Sequence, residues 1–464
     1  MRICAFLVNK IIGEFELRYQ KLYQNTMSTS IQPTTQTPAT AANSPNLETL
    51  HHQIVIVGGG AAGITVASQL RGKNNTLDIA IIEPSDKHYY QPAWTLVGGG
   101  DYRIEDTIKP EARCIPPGVA WIKDYAAELD PDNNAVKTRQ GKVVYYDYLV
   151  LCPGIQIDWH LIEGLKDALG KDGVCSNYAL EFAPYTWETI QNFKGGNAIF
   201  TFPATPVKCG GAPQKIMYLA DDAFRRQGVR DRANVMFYSA VGAIFPVPAY
   251  AAPLLKVVER RGIQLKFKHN LKAIRAATKE AVFDVTTDEG VQEVAVPYDM
   301  IHVSPPMSAP DLIKNSKLAG TEGAAKGWVD VNKDTLQHNV YPNVFSLGDA
   351  SSLPISKTAA AIRGQAPVLV ENLLAFMDAT SLTGKYSGYT CCPLITGYGK
   401  VIMAEFDYSN QPLSTFPMDP REERYSMWLM KRHVLPWVYW NRMLKGKQFE
   451  GNIVKLKGWK PSNN

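Results

Sequence analysis

Residues Gln53–Leu70 read QIVIVGGGAAGITVASQL. A β-branched run feeds Gly58-x-Gly60-x-x-Gly63, and an apolar helical pattern follows. A second apolar run, DIAIIE, ends on Glu83, twenty residues past Gly63. Strand, glycine loop, helix, strand and acid at this spacing form the dinucleotide-binding pattern. The glycines permit a tight turn and close approach of backbone to a pyrophosphate. The helix N-terminus, with the Ala61-Ala62 turn, offers its amide groups, and Glu83 accepts ribose hydroxyls.

Two later stretches point to FAD rather than NAD. Tyr146–Pro153, YDYLVLCP, followed by Gly154, is similar to the strand that closes the FAD domain of two-dinucleotide flavoproteins. Phe345–Leu353, FSLGDASSL, carries the Gly-Asp pair that such proteins place late in the chain, with Asp349 near the ribityl chain and phosphates. The expected architecture is α/β, with two Rossmann-like dinucleotide-binding-type domains. The FAD domain is discontinuous, 49–165 and 320–385, and the second domain, 166–319, is inserted. Residues 386–464 make a C-terminal region with a redox-cysteine loop and amphipathic membrane-associating helices.

The inserted domain lacks the nicotinamide signature. Asn197–Phe202, NAIFTF, reads as its first strand and Ile216–Arg226 as its first helix. Between them runs a loop with two prolines before Cys209 and only Gly210 and Gly211 after it. The next strand, NVMFYS, ends at Ser239 without an acid to read a ribose. The electron donor is therefore expected not to be a nucleotide, with Cys209 in its place. A nearby helix N-terminus and the adjacent Lys208 are both expected to favour the thiolate. A partner thiol lies in YTCCPLITGY, Tyr389–Tyr398, read as a Gly/Tyr-rich loop. A disulfide between neighbouring cysteines is strained, so either Cys391 or Cys392 is expected to meet Cys209.

Seven cysteines without regular spacing argue against a secreted disulfide framework, and no Cys/His cluster of zinc spacing exists, so no metal site is expected. The net charge of +5 is concentrated: from Arg424 to Lys460 there are nine Lys/Arg against one acid, Glu450. That pattern opposes a nucleic-acid binder and marks one basic patch. The patch includes Tyr425–Leu444, YSMWLMKRHVLPWVYWNRML, whose aromatic and basic residues read as a monotopic membrane anchor of two short helices divided by Pro436. Trp428, Trp437, Trp440 and Trp459 are its expected interfacial anchors. No run is long enough to span a bilayer. Residues 1–48 begin basic and apolar and continue as an uncharged Ser/Thr/Pro/Ala stretch, which reads as a mitochondrial transit or disordered segment.

Taken together, Glu83–Gly100 (EPSDKHYYQPAWTLVGGG), Asn197–Leu219, SKTAAA (Ser356–Ala361) and CPLITGY (Cys392–Tyr398) carry a resemblance. From about His51 to about Gly446 the chain resembles the mitochondrial-type sulfide:quinone oxidoreductases of animals and fungi, flavoproteins of the disulfide-reductase superfamily. The resemblance implies a redox pair, Cys209 and Cys392, the second chosen because the family's cysteine directly precedes Pro-Leu. It implies FAD contacts at Ala61, Ala62, Glu83, Gln91, the backbone near Ala126, Asp349 and Lys357. It also implies hydrogen sulfide and ubiquinone as substrates and a small thiol or sulfite as sulfur acceptor, at the matrix side of the mitochondrial inner membrane. The family commonly has a small residue where this chain has Cys391. Lys208 and Lys215 are candidate attractors for hydrosulfide. Rival readings are a type II NADH:quinone oxidoreductase-like flavoenzyme, a sulfide dehydrogenase serving a haem partner, and a non-catalytic flavin-binding protein.

Overall fold

In the computed structural model, which describes residues 48–447, the apolar run Thr49–Val57 becomes the strand around which the first sheet is built. It pairs in parallel with Ile79–Ile82 and with Val143–Leu151, Val57 lying opposite Ile82 on one side and Leu151 on the other. Its last four residues are buried, as a central parallel strand requires. The sheet order is Ala120–Ile122, Ile79–Ile82, Thr49–Val57, Val143–Leu151, Ala135–Thr138, Ala126–Asp130. Val344–Ser346 also pairs with Val143–Leu151, so the chain leaves this sheet after Leu151 and returns to it only at Val344. The helices Ala61–Lys73 and Ala359–Met377 pack on each other, the second capped by the Thr358 hydroxyl, which accepts from the Ala361 N–H. The matched strand ends and the glycine loop beyond Val57 open onto one cavity.

A second parallel sheet has the order Val174–Cys175, Met300–His302, Gly196–Phe202, Ala233–Ser239, Gln264–Phe267. Its core already includes Ile162 and Leu165. The helix between Phe202 and Ala233 begins at Ala212, earlier than the sequence pattern predicts. Gly211 closes the loop, and Pro213 suits a first helical turn, where no N–H is needed.

The stretch read as a cysteine loop is instead a strand. Thr390–Gly397 pairs antiparallel with Lys400–Phe406, Cys392 opposite Ala404. Successive strand side chains point to opposite faces. Cys392 packs with Leu394 in the core of the second sheet, and Cys391 packs with Met403 in a separate cluster.

The C-terminal segment also differs from expectation. Tyr425–Leu429, Met430–Val434 and Leu435–Asn441 form one helical run whose middle turn is π-helical. Pro436 stands at the start of the last piece, and the widened turn before it absorbs the missing N–H without a break. Trp428 and Trp440 are buried in the chain's own clusters, Trp437 is half-buried, and Tyr425 is exposed. Trp459 and the leader, residues 1–47, lie outside the described residues. Among the described residues no helix is long and apolar enough to cross a membrane.

One buried ion network fixes the helix Ala212–Arg226 against the cysteine strand. Asp221, fully buried, accepts from Arg261 Nη1 at 2.7 Å and Arg225 Nε at 3.0 Å. Arg261 Nη2 donates onward to the Thr396 carbonyl at 2.6 Å. Removing the anion leaves the buried Arg261 guanidinium with only Asp222, 3.8 Å away, to offset its charge. Asp221→Ala is expected to lower unfolding free energy by about 3–5 kcal/mol, measured by chemical denaturation.

Candidate active site

The glycine loop divides its work among three residues. Gly58 has φ +104, and a Cβ there would stand 2.5 Å from the Cys152 carbonyl oxygen. A Cβ on Gly63 would stand 1.9 Å from the Gly58 carbonyl oxygen, so this glycine lets helix and strand touch. A Cβ on Gly60 would meet nothing within 4 Å. Gly60 is therefore the open floor of the cradle, and it caps the helix Ala61–Lys73 without any side-chain bond, leaving first-turn N–H groups for a ligand. Glu83 Oε2 accepts from the Gly59 N–H and Oε1 from the Ser85 N–H, both at 2.8 Å. Burial raises the Glu83 pKa against those two bonds. This cradle fits the pyrophosphate and ribose of a dinucleotide.

The cavity beyond it has a volume of about 650 Å³. Gly58, Gly60, Ala61, Ala62 and Glu83 line it, and so do Gln91, Asp349, Lys357 and Cys209. Gly63 lies behind the loop, and Ala126 opens the strand opposite Thr138; neither lines the cavity. Lys357 Nζ donates to the carbonyls of Asp349 (2.7 Å) and Ser351 (3.0 Å) and lies 3.7 Å from the Trp328 ring centroid. Burial pulls its pKa down to about 8. Burial raises the Asp349 carboxyl, opposed by Lys357 and Lys208.

Cys209 holds a left-handed backbone, φ +59, unusual for a residue with a side chain. Its N–H donates to the Lys357 carbonyl and its own carbonyl accepts from Ala212, both at 2.8 Å. The thiols of Cys209 and Cys392 are free, and Cys209 packs against the cluster that holds Cys392, close enough for the Cys392 S–H to donate to it. That bond, followed by the Lys215 charge, holds Cys209 well below the ordinary thiol range despite burial. The same bond, then burial, pushes Cys392 well above it. One negative charge is thus shared by two sulfurs and sits on Cys209.

The lysine that faces the thiol is Lys215, not the adjacent Lys208. Lys215 is buried one turn into the helix and donates to Cys209 Sγ at 3.0 Å. Burial would lower its pKa, but the two sulfurs outweigh burial and raise it. Lys208 turns away and donates to Gln91 Oε1 at 2.7 Å. Desolvation lowers its pKa to about 8. Lys431, from the π-helical turn, donates to the Pro92 carbonyl at 2.8 Å, and burial with the neighbouring Lys215 charge brings it to about 7. Charge counting along the chain marks a basic C-terminal segment but gives no sign that Lys431 turns inward.

In the second sheet the corresponding helix N-terminus is approached by another strand. A Cβ on Gly211, at the N-terminus of the helix Ala212–Arg226, would stand 2.2 Å from Leu394 Cδ2. The cysteine strand fills the approach to that helix.

Residues 52–183 match the family described as pyridine nucleotide-disulphide oxidoreductase. The mitochondrial sulfide:quinone oxidoreductase of Mus musculus is 47% identical over 85% of this chain and 87% of its own length. That of Dictyostelium discoideum is 50% identical over 87% of this chain and 88% of its own. The chain belongs to the mitochondrial sulfide:quinone oxidoreductase family. A solved structure of the sulfide:quinone oxidoreductase from the hyperthermophilic bacterium Aquifex aeolicus matches with a TM-score of 0.72 at 20% identity, covering 86% of this chain and 92% of that one. At that identity the likeness is one of fold. FAD is the cofactor of this flavoprotein family, and the open floor at Gly60 with the acid at Glu83 is where its adenosine half fits.

The thiolate assignment is testable through Lys215. In Lys215→Met, alkylation of Cys209 by iodoacetamide at pH 7 should slow about tenfold, with its pH dependence moved to higher pH. Equal rates in both proteins would contradict it.

Proposed function

We propose that this chain oxidises hydrogen sulfide through a Cys209–Cys392 disulfide, passes two electrons by way of FAD to ubiquinone, and hands the sulfane sulfur to a small acceptor such as glutathione or sulfite. The observation that carries this reading is the sulfur–sulfur contact beside Lys215, at the wall of a cavity that begins in a dinucleotide cradle. On this reading 49–165 and 320–385 hold the cofactor, and 166–319 contributes Cys209 rather than a nicotinamide site. Leu394 packed against Gly211 argues against an NADH-driven reaction.

The chemistry follows from the unequal thiols. Hydrosulfide attacks the disulfide at Cys392 Sγ; the new S–S bond makes a Cys392 persulfide, and the old one breaks with its electron pair on Cys209. Cys209 is the better leaving group because Lys215 holds its thiolate. A nucleophilic acceptor then takes the terminal sulfur and leaves the Cys392 thiolate. The two thiolates re-form their disulfide by losing two electrons. FAD, when bound through Gly60, Ala61, Ala62, Glu83, Gln91, Asp349 and Lys357, supplies the two-electron acceptor. The Lys357 ammonium provides a positive charge on that cavity wall.

Cys209→Ser and Cys392→Ser are each expected to retain FAD and to lose sulfide-dependent quinone reduction by more than about a hundredfold. Cys391→Ser, whose sulfur lies 3.4 Å from Met403 Sδ, should stay active. Full turnover by either of the first two proteins would end the assignment, as would quinone reduction driven by NADH.

We further propose that the protein works at the inner mitochondrial membrane, peripherally and from the matrix side. The composition of residues 1–48 supports import, and ubiquinone is drawn from lipid. With Trp428 and Trp440 committed to the core, docking falls to the outer face of the C-terminal segment: exposed Tyr425, half-buried Trp437 and the exposed Lys445 and Lys447. Co-sedimentation with anionic liposomes should occur at low salt and weaken at high salt. A protein left in the supernatant at low salt would refute docking.

A further inference from the structure

Sequence spacing assigns a single acid, Glu83, to the ribose of the dinucleotide. The fold brings a second acid beside it. Glu111 follows the short strand Ile108–Pro110, is 1% exposed and lines the cavity. Its Oε2 pairs with His88 Nδ1 at 3.0 Å, and His88 Nε2 meets the Tyr439 hydroxyl at 2.6 Å. A carboxylate oxygen accepts, so Nδ1 carries the hydrogen and Nε2 takes the phenol's. Tyr439 belongs to the last helical run, so this relay ties that run to the cradle.

The other oxygen, Oε1, is buried and has no hydrogen-bond partner among the described residues. It lies 2.9 Å from where a Gly59 Cβ would stand, and Glu83 Cγ lies 2.6 Å from the same point. The two carboxyl groups therefore flank one residue of the phosphate loop. Both Glu83 oxygens already accept a backbone N–H, and the nearness of Glu111 adds to burial in raising the Glu83 pKa. A buried oxygen without a donor is costly, and two facing acids are costlier still, until something with O–H groups enters. Phosphates bring no donor. A ribose brings two adjacent ones.

We propose that the adenosine ribose of bound FAD is held by two acids, Glu111 Oε1 accepting one hydroxyl of the diol and Glu83 the other. His88 is the positioning residue: by engaging Oε2 it leaves Oε1 as the oxygen without a partner.

The test follows FAD release from the holoprotein by flavin fluorescence and involves no sulfide, so its failure leaves the sulfide reaction untouched. In Glu111→Gln the side-chain carbonyl must serve His88 and an N–H turns toward the cavity. Release should quicken about tenfold. Protein reconstituted with FAD lacking the 2′- or the 3′-hydroxyl of the adenosine ribose should release each analogue faster than FAD. For one of the two, Glu111→Gln should add less than about twofold, because the group it served is gone. The same tenfold loss with FAD and both analogues would mark a structural role and overturn the proposal. Unchanged FAD release in Glu111→Gln would overturn it as well. Should that variant fail to fold, the unmodified protein still decides: two acids require both hydroxyls to matter, and indifference to either one refutes the assignment.

Discussion

The structure turns on one negative charge shared by two sulfurs, Cys209 half-buried at the cavity wall and Cys392 buried behind it. Cys209 and Cys392 come from elements remote in sequence, and a buried thiolate between them is tolerable only with a cation in contact. Lys215 supplies it at 3.0 Å. That single contact explains why the helix Ala212–Arg226 carries a buried lysine on its first turn. It also explains why the strand Thr390–Gly397 lies along that helix, and why Asp221 and Arg261 pin the two together. An S–S bond forms only when both partners are held within its narrow reach. The ion network is the means of holding them.

In the second parallel sheet the chain's own Leu394 stands where the first sheet leaves its helix N-terminus open. In the first half the corresponding helix N-terminus is open, and Gly60 faces empty space. In the second half Leu394 occupies the approach to Gly211, and Cys209 takes a left-handed turn that a loop of this type would otherwise give to glycine. Strain at that residue is held by the backbone bond from Cys209 to Lys357, which also joins the thiol loop to the segment bearing Lys357. The donor side and the cofactor side of the reaction are therefore parts of one hydrogen-bonded unit.

Much of the first half was legible in the sequence because its signals are local. Glycines at 58, 60 and 63 and an acid at 83 each have a backbone reason to be where they are, and the reason acts within one βαβ unit. The proline-flanked Cys209 was legible in the same way, as a local departure from a loop pattern. What was misread depended on contacts between distant segments. Lys208 stands next to Cys209 in sequence but turns to Gln91, whereas Lys215, a helical turn away, faces the sulfur. The residues around Cys392 read as a loop because Gly, Pro and Tyr dilute the strand pattern, and pairing with Lys400–Phe406 overrides it. Tryptophans near basic residues suit a bilayer surface and a protein core equally, and composition does not say which; for Trp428 and Trp440 it is the core. Glu111 has no motif at all, and only the fold sets it beside Glu83.

Four of the five lysines that line the cavity have shifted proton affinities that suit the anionic substrate proposed above. Lys208, Lys357 and Lys431 all lose part of their affinity for a proton to burial, down to about 8, 8 and 7. Lys215 alone is raised, and it alone donates directly to a sulfur. The difference is direct contact with a sulfur anion: Lys208 and Lys357, half-buried, face only the Asp349 carboxyl. An anion that enters restores to the weakened lysines the charge stabilisation that burial removed, and by reciprocity each lysine strengthens the anion's binding. Hydrosulfide, a thiolate and sulfite all satisfy that condition, while hydrogen sulfide in its neutral form does not. On the proposed reaction, such a site would favour hydrosulfide over neutral hydrogen sulfide.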